Sequence, residues 1–183
     1  MDVKEREIKV TTKPDENGSG VIQSYGSLVP VRLGLAVQTR YQSVAGLNRL
    51  LAHSMAMRDL YKKSHWQTSG STFYELHLLL DKHYTEQLEL VDELAERVQT
   101  LGGVALALAH DVAEESGISR APRGRENVLA QMHRLLEGHE TLLTEARPLA
   151  REASEHGDDG TNDLIVSKSF VRTSCKAGSS MRT

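Results

Sequence analysis

The fold is decided by one stretch of sequence, residues 73–103, which reads FYELHLLLDKHYTEQLELVDELAERVQTLGG. Apolar residues recur at steps of three and four along its whole length, which is the spacing of an amphipathic helix. Ser71 or Thr72 can cap its start, and Gly102 and Gly103 can adopt the left-handed conformation that commonly ends helices. The stretch therefore predicts one long helix that buries a single face.

Apolar residues recur at steps of three and four in the segments before and after this helix as well. Pro148 is expected to kink or divide the helix that contains it, and Thr161 or Asn162 can cap the last helix. Three long helices, the start of a fourth and one long crossover predict an all-α four-helix bundle, with a short helix in the crossover. The further helices are expected at about residues 33–66, 104–115 and 126–155, and from Asp163 onward.

The two ends of the chain differ from the middle. Residues 1–32 have no apolar period and contain a flexible Asn-Gly-Ser-Gly run, so they are predicted to form a flexible tail before one domain over residues 33–183. Residues 168–183 carry few apolar side chains and cannot cover a bundle groove well, so the fourth helix is expected to be atypical or truncated.

Composition narrows the class of protein further. The chain has 183 residues, a size typical of one domain, and a formal net charge of −3, which does not suggest a general nucleic-acid binder. Cys175 is the single cysteine, so no intrachain disulfide can form. There is no signal-peptide pattern and no apolar run long enough to cross a membrane. The expected location is the cytoplasm, with no membrane partner.

Four residues with metal-ligand chemistry line one edge of the predicted second helix. If His77 is set at zero on a helical wheel, Asp81, Asp92 and Glu96 fall within about 100° of it, beside the apolar face. Scattered surface acids are common, but here the residues form two pairs, each one turn apart. An imidazole with several carboxylates suits iron, manganese or zinc better than calcium or magnesium. His65, at the end of the first helix, can supply a second imidazole.

The spacing of these pairs sets a geometric limit. Asp81 and Asp92 are separated by eleven residues, or roughly 16 Å of helix rise, whereas metal–ligand bonds are near 2 Å. One ion therefore cannot join both pairs of the same helix. Two copies of the helix, packed antiparallel across a twofold axis, can bring the first pair of one chain to the second pair of the other, which makes two equivalent sites.

The combined pattern resembles the Dps family of miniferritins (DNA-binding proteins from starved cells). The resemblance is carried by a His-Trp pair, a second His twelve residues after the first, then Asp, Asp and Glu at steps of four, eleven and four, and it extends more weakly from about residue 33 to Ser167. It implies a ferritin-like fold, a hollow dodecameric shell and a di-iron ferroxidase centre at a dimer interface. There iron(II) is oxidised, preferably by hydrogen peroxide, and stored as a ferric mineral.

The resemblance also implies residue roles. One chain would contribute His65, His77 and Asp81, and its partner would contribute Asp92 and Glu96. Trp66 matches a tryptophan beside the family site, where it can intercept oxidising equivalents or simply pack in the interface. Acids before the fourth helix match a pore through which iron enters the shell, although Asp-Asp-Gly is also ordinary turn chemistry. These acids are Asp158, Asp159 and Asp163.

Three alternatives to this resemblance bear on the function, and the sequence argues against the first of them. Larger ferritins build a di-iron site inside one bundle with Glu-x-x-His motifs, but none of the eight histidines has Glu three residues before it. A protein that binds and compacts DNA, associated with the nucleoid, is a second reading, and it requires locally basic segments at the chain ends to overcome the net negative charge. An inert structural shell is the third, if the unusual C-terminal end disables the chemistry.

Overall fold

Two long antiparallel helices form one half of the bundle. The computed structural model describes residues 20–170, and every regular element in this range is helical. Helix α1 (Val37–Gln67) and helix α2 (Phe73–Thr100) pack against each other along their length. The loop between them spans only residues 68–72, and such a short connection requires neighbouring helices to run in opposite directions.

A long crossover leads to the second half. It contains the short helix α3 (Ala109–Glu115) and ends at the long helix α4 (Val128–Glu155), which packs on α1. After a tight turn, α5 (Asp159–Leu164) runs directly into a π-helical segment, Ile165–Phe170. The predicted all-α bundle with a short helix in its crossover is thus confirmed, and its last six described residues adopt π-helical geometry. The rest of the predicted atypical end, residues 171–183, lies outside the described residues.

Helix α2 begins and ends where the sequence predicts. Its buried residues lie on one face, and Thr72 occupies the N-cap position, although its side chain makes no capping hydrogen bond. The chain leaves the helix through Gly102, whose φ is +84°. A Cβ at this position would lie 2.6 Å from the carbonyl oxygen of Val29, so both the backbone conformation and the close approach require glycine.

Residues 27–29 contact this end of α2. Leu28 is fully buried, and the Val29 amide donates to the carbonyl of Gly102 at 2.8 Å. The Arg40 guanidinium donates to the carbonyls of Val29 and Leu101, at 3.1 and 3.0 Å. The sequence places residues 27–29 in the predicted tail, but an apolar side chain and satisfied backbone groups hold them on the bundle. The rest of the predicted tail up to residue 19 lies outside the described residues.

The starts of two helices differ from prediction. Helix α1 begins at Val37 rather than near residue 33, because Gly34 has a φ of +71° and Ala36 is extended. The predicted caps of the fourth helix are wrong. Asp158 is the cap, because its carboxylate accepts the backbone N–H of Thr161 at 3.1 Å, and the helix therefore starts four residues earlier than expected.

Pro148 does not divide α4, which continues unbroken from Val128 to Glu155. Proline removes one backbone donor, so the carbonyl of Thr144, one turn earlier, loses its usual partner. Both Pro148 and Thr144 lie on the exposed side of the helix, where water can satisfy that carbonyl. The prediction that Pro148 could divide the helix is wrong for this reason.

The core is mostly leucine, contributed by α1, α2 and α4 and closed at one end by Ile165. A polar contact joins α1 to α4 within it: the buried Tyr61 hydroxyl hydrogen-bonds to Nε2 of His139, and burial raises the pKa of Tyr61 far above its usual value. Among residues 20–170, none of the helices combines the length with the apolar character that crossing a membrane demands.

Candidate metal centre

Two histidines meet where the α1–α2 hairpin closes. The rings of His65 and His77 stack with their centroids 3.7 Å apart. His65 Nδ1 lies 2.9 Å from the backbone oxygen of His77, and His77 Nδ1 lies 3.1 Å from that of His65. A carbonyl only accepts, so each Nδ1 carries a proton and donates it, and the neutral ring keeps its lone pair on Nε2. Both side chains therefore present the nitrogen that a metal ion binds.

An aromatic ring supports this pair from the side. Phe73 stacks on His77 with the centroids 5.1 Å apart, so three rings form a short column. Phe73 precedes His77 by four residues, which places both on one face of α2. Trp66 follows His65 but lies on the surface of the single chain, with 69% of its area exposed. The column restricts how the His77 ring can rotate, whereas Trp66 is left available for contact with another molecule.

The Asp81 carboxylate lies beside the histidines and is bound by a lysine. Lys62 Nζ is 2.6 Å from Asp81 Oδ1, and His65 Nε2 is 3.9 Å from the same oxygen. The hydrogen bond from Lys62 holds the pKa of the Asp81 carboxyl below its ordinary value, and the lysine charge acts in the same direction. Asp81 is therefore ionised near neutral pH and is paired with the lysine ammonium in the single chain.

Asp92 and Glu96 are exposed on the same edge of α2 but far along it. The rise between Asp81 and Asp92 is roughly 16 Å. Accordingly, residues 20–170 of one chain contain no cluster of three or more His, Cys, Asp or Glu side chains that could hold a metal ion. The single chain thus places His77 and Asp81 each next to His65 without arranging the three to hold a metal ion, and it leaves Asp92 and Glu96 apart from them.

Large apolar side chains share the edge of α2 that carries the ligands. Tyr74 is 67% exposed, Leu78 52% and Leu88 43%. On a helical wheel they fall within about 100° of His77, the same range as Asp92 and Glu96. Exposed apolar groups that lie together on one helix face commonly mark a contact surface.

The acids predicted to line a pore separate into two kinds. Asp158 is 1% exposed; its Oδ2 accepts the Ser43 hydroxyl at 2.6 Å, and its Oδ1 accepts from Arg97 at 2.5 Å. Burial alone would raise the pKa of this carboxyl, but the bonds from Ser43 and Thr161 and the charge of Arg97 outweigh it, so the pKa is lowered. Asp158 is therefore buried and bonded inside the single chain rather than exposed on its surface. Asp159 and Asp163 are exposed.

Sequence reasoning missed two residues of this centre. Lys62 lies three residues before His65, and this spacing places the two side chains one turn apart on the same face of α1. Phe73 was identified only as part of the apolar pattern, although its position one turn before His77 predicts ring contact. Neither signal is specific, because most lysines and aromatic residues one turn from a histidine do nothing more than cover surface.

A helical hairpin, a long crossover and a second helical pair, with imidazole and carboxylate donors on one face, define a ferritin-like protein. The model of the ferritin-like domain family matches residues 44–183. DpsC from Streptomyces coelicolor is 48% identical, with a TM-score of 0.87 over 88% of this chain and 94% of that chain. The chain belongs to the Dps family of ferritin-like proteins.

Two more distant relatives show the range of the family. A Dps protein from Vibrio cholerae O1, described as a member of a broad superfamily of ferritin-like diiron-carboxylate proteins, is 26% identical, with a TM-score of 0.75 over 80% of this chain and 92% of that chain. A protein of a Synechococcus strain, named as a nutrient stress-induced DNA-binding protein, is 30% identical over 80% of this chain and 84% of its own length.

Proposed function

We propose that the protein is a ferroxidase and an iron store. It oxidises iron(II), preferably with hydrogen peroxide, and retains the ferric product in a hollow dodecameric shell, which limits oxidative damage. The observation that carries this proposal is the pair of histidines whose Nδ1 atoms are fixed on backbone carbonyls, next to the ionised Asp81. Neutral imidazole nitrogen and carboxylate oxygen together suit iron. Iron is the substrate and the cargo of this site.

The positions of the ligands favour sharing between two chains. The separations between His77 and Glu96 and between Asp81 and Asp92 are both centred between residues 86 and 87. If two α2 helices pack antiparallel about a twofold axis at that point, His77 lies opposite Glu96 of the other chain, and Asp81 lies opposite Asp92. The exposed Leu88 then lies near the axis, where an apolar side chain is buried by the contact.

The residues have separate tasks in such a site. The histidines and Asp81 bind iron(II), and the two added carboxylates stabilise the higher charge of iron(III). Two iron(II) ions supply two electrons, which with two protons reduce one hydrogen peroxide to two waters. Because both electrons are consumed at one centre, no hydroxyl radical is released. Asp159 and Asp163 remain the proposed acids of an uptake path, because exposed carboxylates attract cations.

Mixed dimers provide the sharpest test of the shared site. One variant carries His65→Ala and His77→Ala, and the other carries Asp92→Ala and Glu96→Ala; each alone is expected to lose oxidation. In a dimer of one chain of each kind, one site combines all the defects, whereas the other has every ligand intact. Refolding the two variants together is therefore expected to restore oxidation to as much as half of the wild-type rate per mixed dimer, measured as iron(II) consumption by peroxide.

The same experiment has a clear contrary outcome. If each site lies within one chain, every chain in the mixture is defective and no activity returns. Assembly of mixed dimers is checked by native mass spectrometry, with one variant isotopically labelled. A mixture that forms such dimers without any recovery of activity contradicts the shared site.

DNA binding is the second candidate function, and one surface favours it. Arg120, Arg123 and Arg125 are exposed in the crossover loop and make no ion pair within residues 20–170. The acid that follows them, Glu126, is turned inward and bonded by Arg134 at 2.7 Å and Lys63 at 3.4 Å. The loop therefore presents positive charge, even though the chain has a net charge of −3. Guanidinium groups bind phosphate well.

Changing Arg120, Arg123 and Arg125 together to Gln tests this surface. If the loop binds DNA phosphates, affinity is expected to fall, and the slope of log K against log salt is expected to decrease by about 0.9 for each phosphate that the loop no longer neutralises. Gel shifts over a salt series measure both quantities. Arg151→Gln, an exposed arginine on α4, is the control. Equal affinity and slope in the triple variant would remove the loop from any DNA-binding surface.

A further inference from the structure

The ammonium of Lys62 lies at the oxygen of Asp81 that faces His65. Its Nζ is 2.6 Å from Asp81 Oδ1 and 4.5 Å from the centre of the Tyr84 ring. His65 Nε2 is 3.9 Å from that same oxygen. The Lys62 side chain is 27% exposed, so most of it is packed in place. A positive charge therefore already occupies the side of the carboxylate that a metal ion shared with His65 would use.

We propose that Lys62 is an internal competitor for the iron substrate, so that its ammonium must leave Asp81 before an ion can bind there. The inference rests on the proposed function, since it concerns the same site. A metal ion bonded to Oδ1 and the ammonium on the same oxygen would be two cations only a few ångströms apart, and they repel strongly at this distance. Lys62 thus lowers the affinity of the metal position that Asp81 serves.

Tyr84 gives the displaced ammonium a second place to lie. The face of an aromatic ring attracts a cation, and Lys62 Nζ already lies over this ring. A small rotation of the lysine side chain can therefore release Asp81 while keeping the charge partly compensated. When the oxidised iron moves on to the store, the ammonium can return. The lysine makes binding at Asp81 weak and reversible, which suits a site through which substrate passes.

Equilibrium binding of Co²⁺ without oxidant tests the competition, because it requires no turnover. The full-length assembled protein is titrated by calorimetry, and the visible absorption of bound cobalt reports its ligands. Lys62→Met keeps an apolar side chain of similar length over Tyr84 but removes the charge. It is expected to tighten binding at the Asp81 position by up to about fivefold, the upper end of the contribution of a partly exposed ion pair.

A double-mutant cycle separates competition from a general structural effect. In an Asp81→Asn background the oxygen no longer attracts the ammonium, so Lys62→Met is expected to change cobalt affinity little there. Lys82→Met is the matched control, because Lys82 is exposed on α2 and pairs only with Glu86 one turn away among the described residues. Lys62→Arg keeps the competing charge and is expected to remain as weak as the wild type.

Each outcome is decisive. Tighter binding in Lys62→Met that disappears in the Asp81→Asn background supports the proposal. Equal cobalt affinity in Lys62→Met and wild type overturns it while leaving the ferroxidase intact. Equal tightening in both backgrounds also overturns it, because the lysine would then act through packing. Absence of cobalt binding in every variant overturns the proposed metal site itself, so the two failures are distinguishable.

Discussion

Iron(II) oxidation by hydrogen peroxide is expected to slow by at least about 100-fold when Asp92 and Glu96 are both changed to Ala, because residues that merely orient metal ligands already contribute about 10- to 100-fold. The double change would remove most of the carboxylate charge that stabilises iron(III) from every site. Stopped-flow absorbance of ferric species at fixed iron and peroxide measures the effect. Both residues are exposed in the single chain, so the fold itself is expected to be little affected.

Two controls define what this result means. Glu75→Gln removes a carboxylate from the same helix, but on the side away from His77, and is expected to leave the rate unchanged. Native mass spectrometry confirms that the double variant still assembles, because lower activity could otherwise reflect failed assembly. A double variant that assembles and oxidises iron at the wild-type rate rules out these two acids as ligands.

The helical hairpin was predictable because its signals are local. Apolar spacing defines α2, and Gly102 ends it in a conformation that other residues rarely adopt. The start of α1 was less predictable, since the apolar spacing extends to residues that Gly34 and Ala36 hold in non-helical geometry. Within α4, the effect of Pro148 depended on which side of the helix faced water, and that follows from packing rather than from the proline.

In the candidate site, too, features set by local helix geometry were predictable, whereas contacts between helices were not. The four-residue spacing within each pair along α2 predicted two pairs of ligands, because helix geometry converts residue number into position. The bond from Lys62 to Asp81 was not readable, since it joins two helices and depends on how a long side chain crosses between them. The pore role of Asp158 came from the family resemblance, and its burial was not readable from the sequence around it. Its partners Ser43 and Arg97 come from helices far away in the chain.

The buried pair of Arg97 and Asp158 is expected to be the strongest single polar contribution to stability in the described bundle. It joins α2 to the start of α5, and Arg97 also donates to the Thr161 hydroxyl at 3.0 Å. Breaking a buried ion pair by removing one partner leaves the other charge uncompensated, which costs about 3 kcal/mol or more. Asp158→Asn is therefore expected to lower the midpoint of thermal unfolding by about 6–12 °C for a chain of this size.

Asp159→Asn is the matched control for this effect. It changes the neighbouring acid, but that side chain is exposed and is expected to shift the unfolding midpoint by only about 1–2 °C. All variants are compared at one protein concentration, because assembly stabilises the folded chain by mass action. Similar midpoints for Asp158→Asn and wild type would mean that the carboxylate contributes nothing beyond its capping of α5.

The pH dependence separates the charge of Asp158 from its hydrogen bonds. Its folded pKa is lowered, so the ionised carboxylate stabilises the protein above the unfolded pKa of about 3.9, and this contribution is lost as pH falls through the lower folded value. Wild type is thus expected to lose more stability than Asp158→Asn between neutral pH and the region below about pH 4, where their unfolding curves converge. Parallel decreases in the two proteins would assign acid sensitivity to other carboxylates and leave Asp158 as a neutral cap.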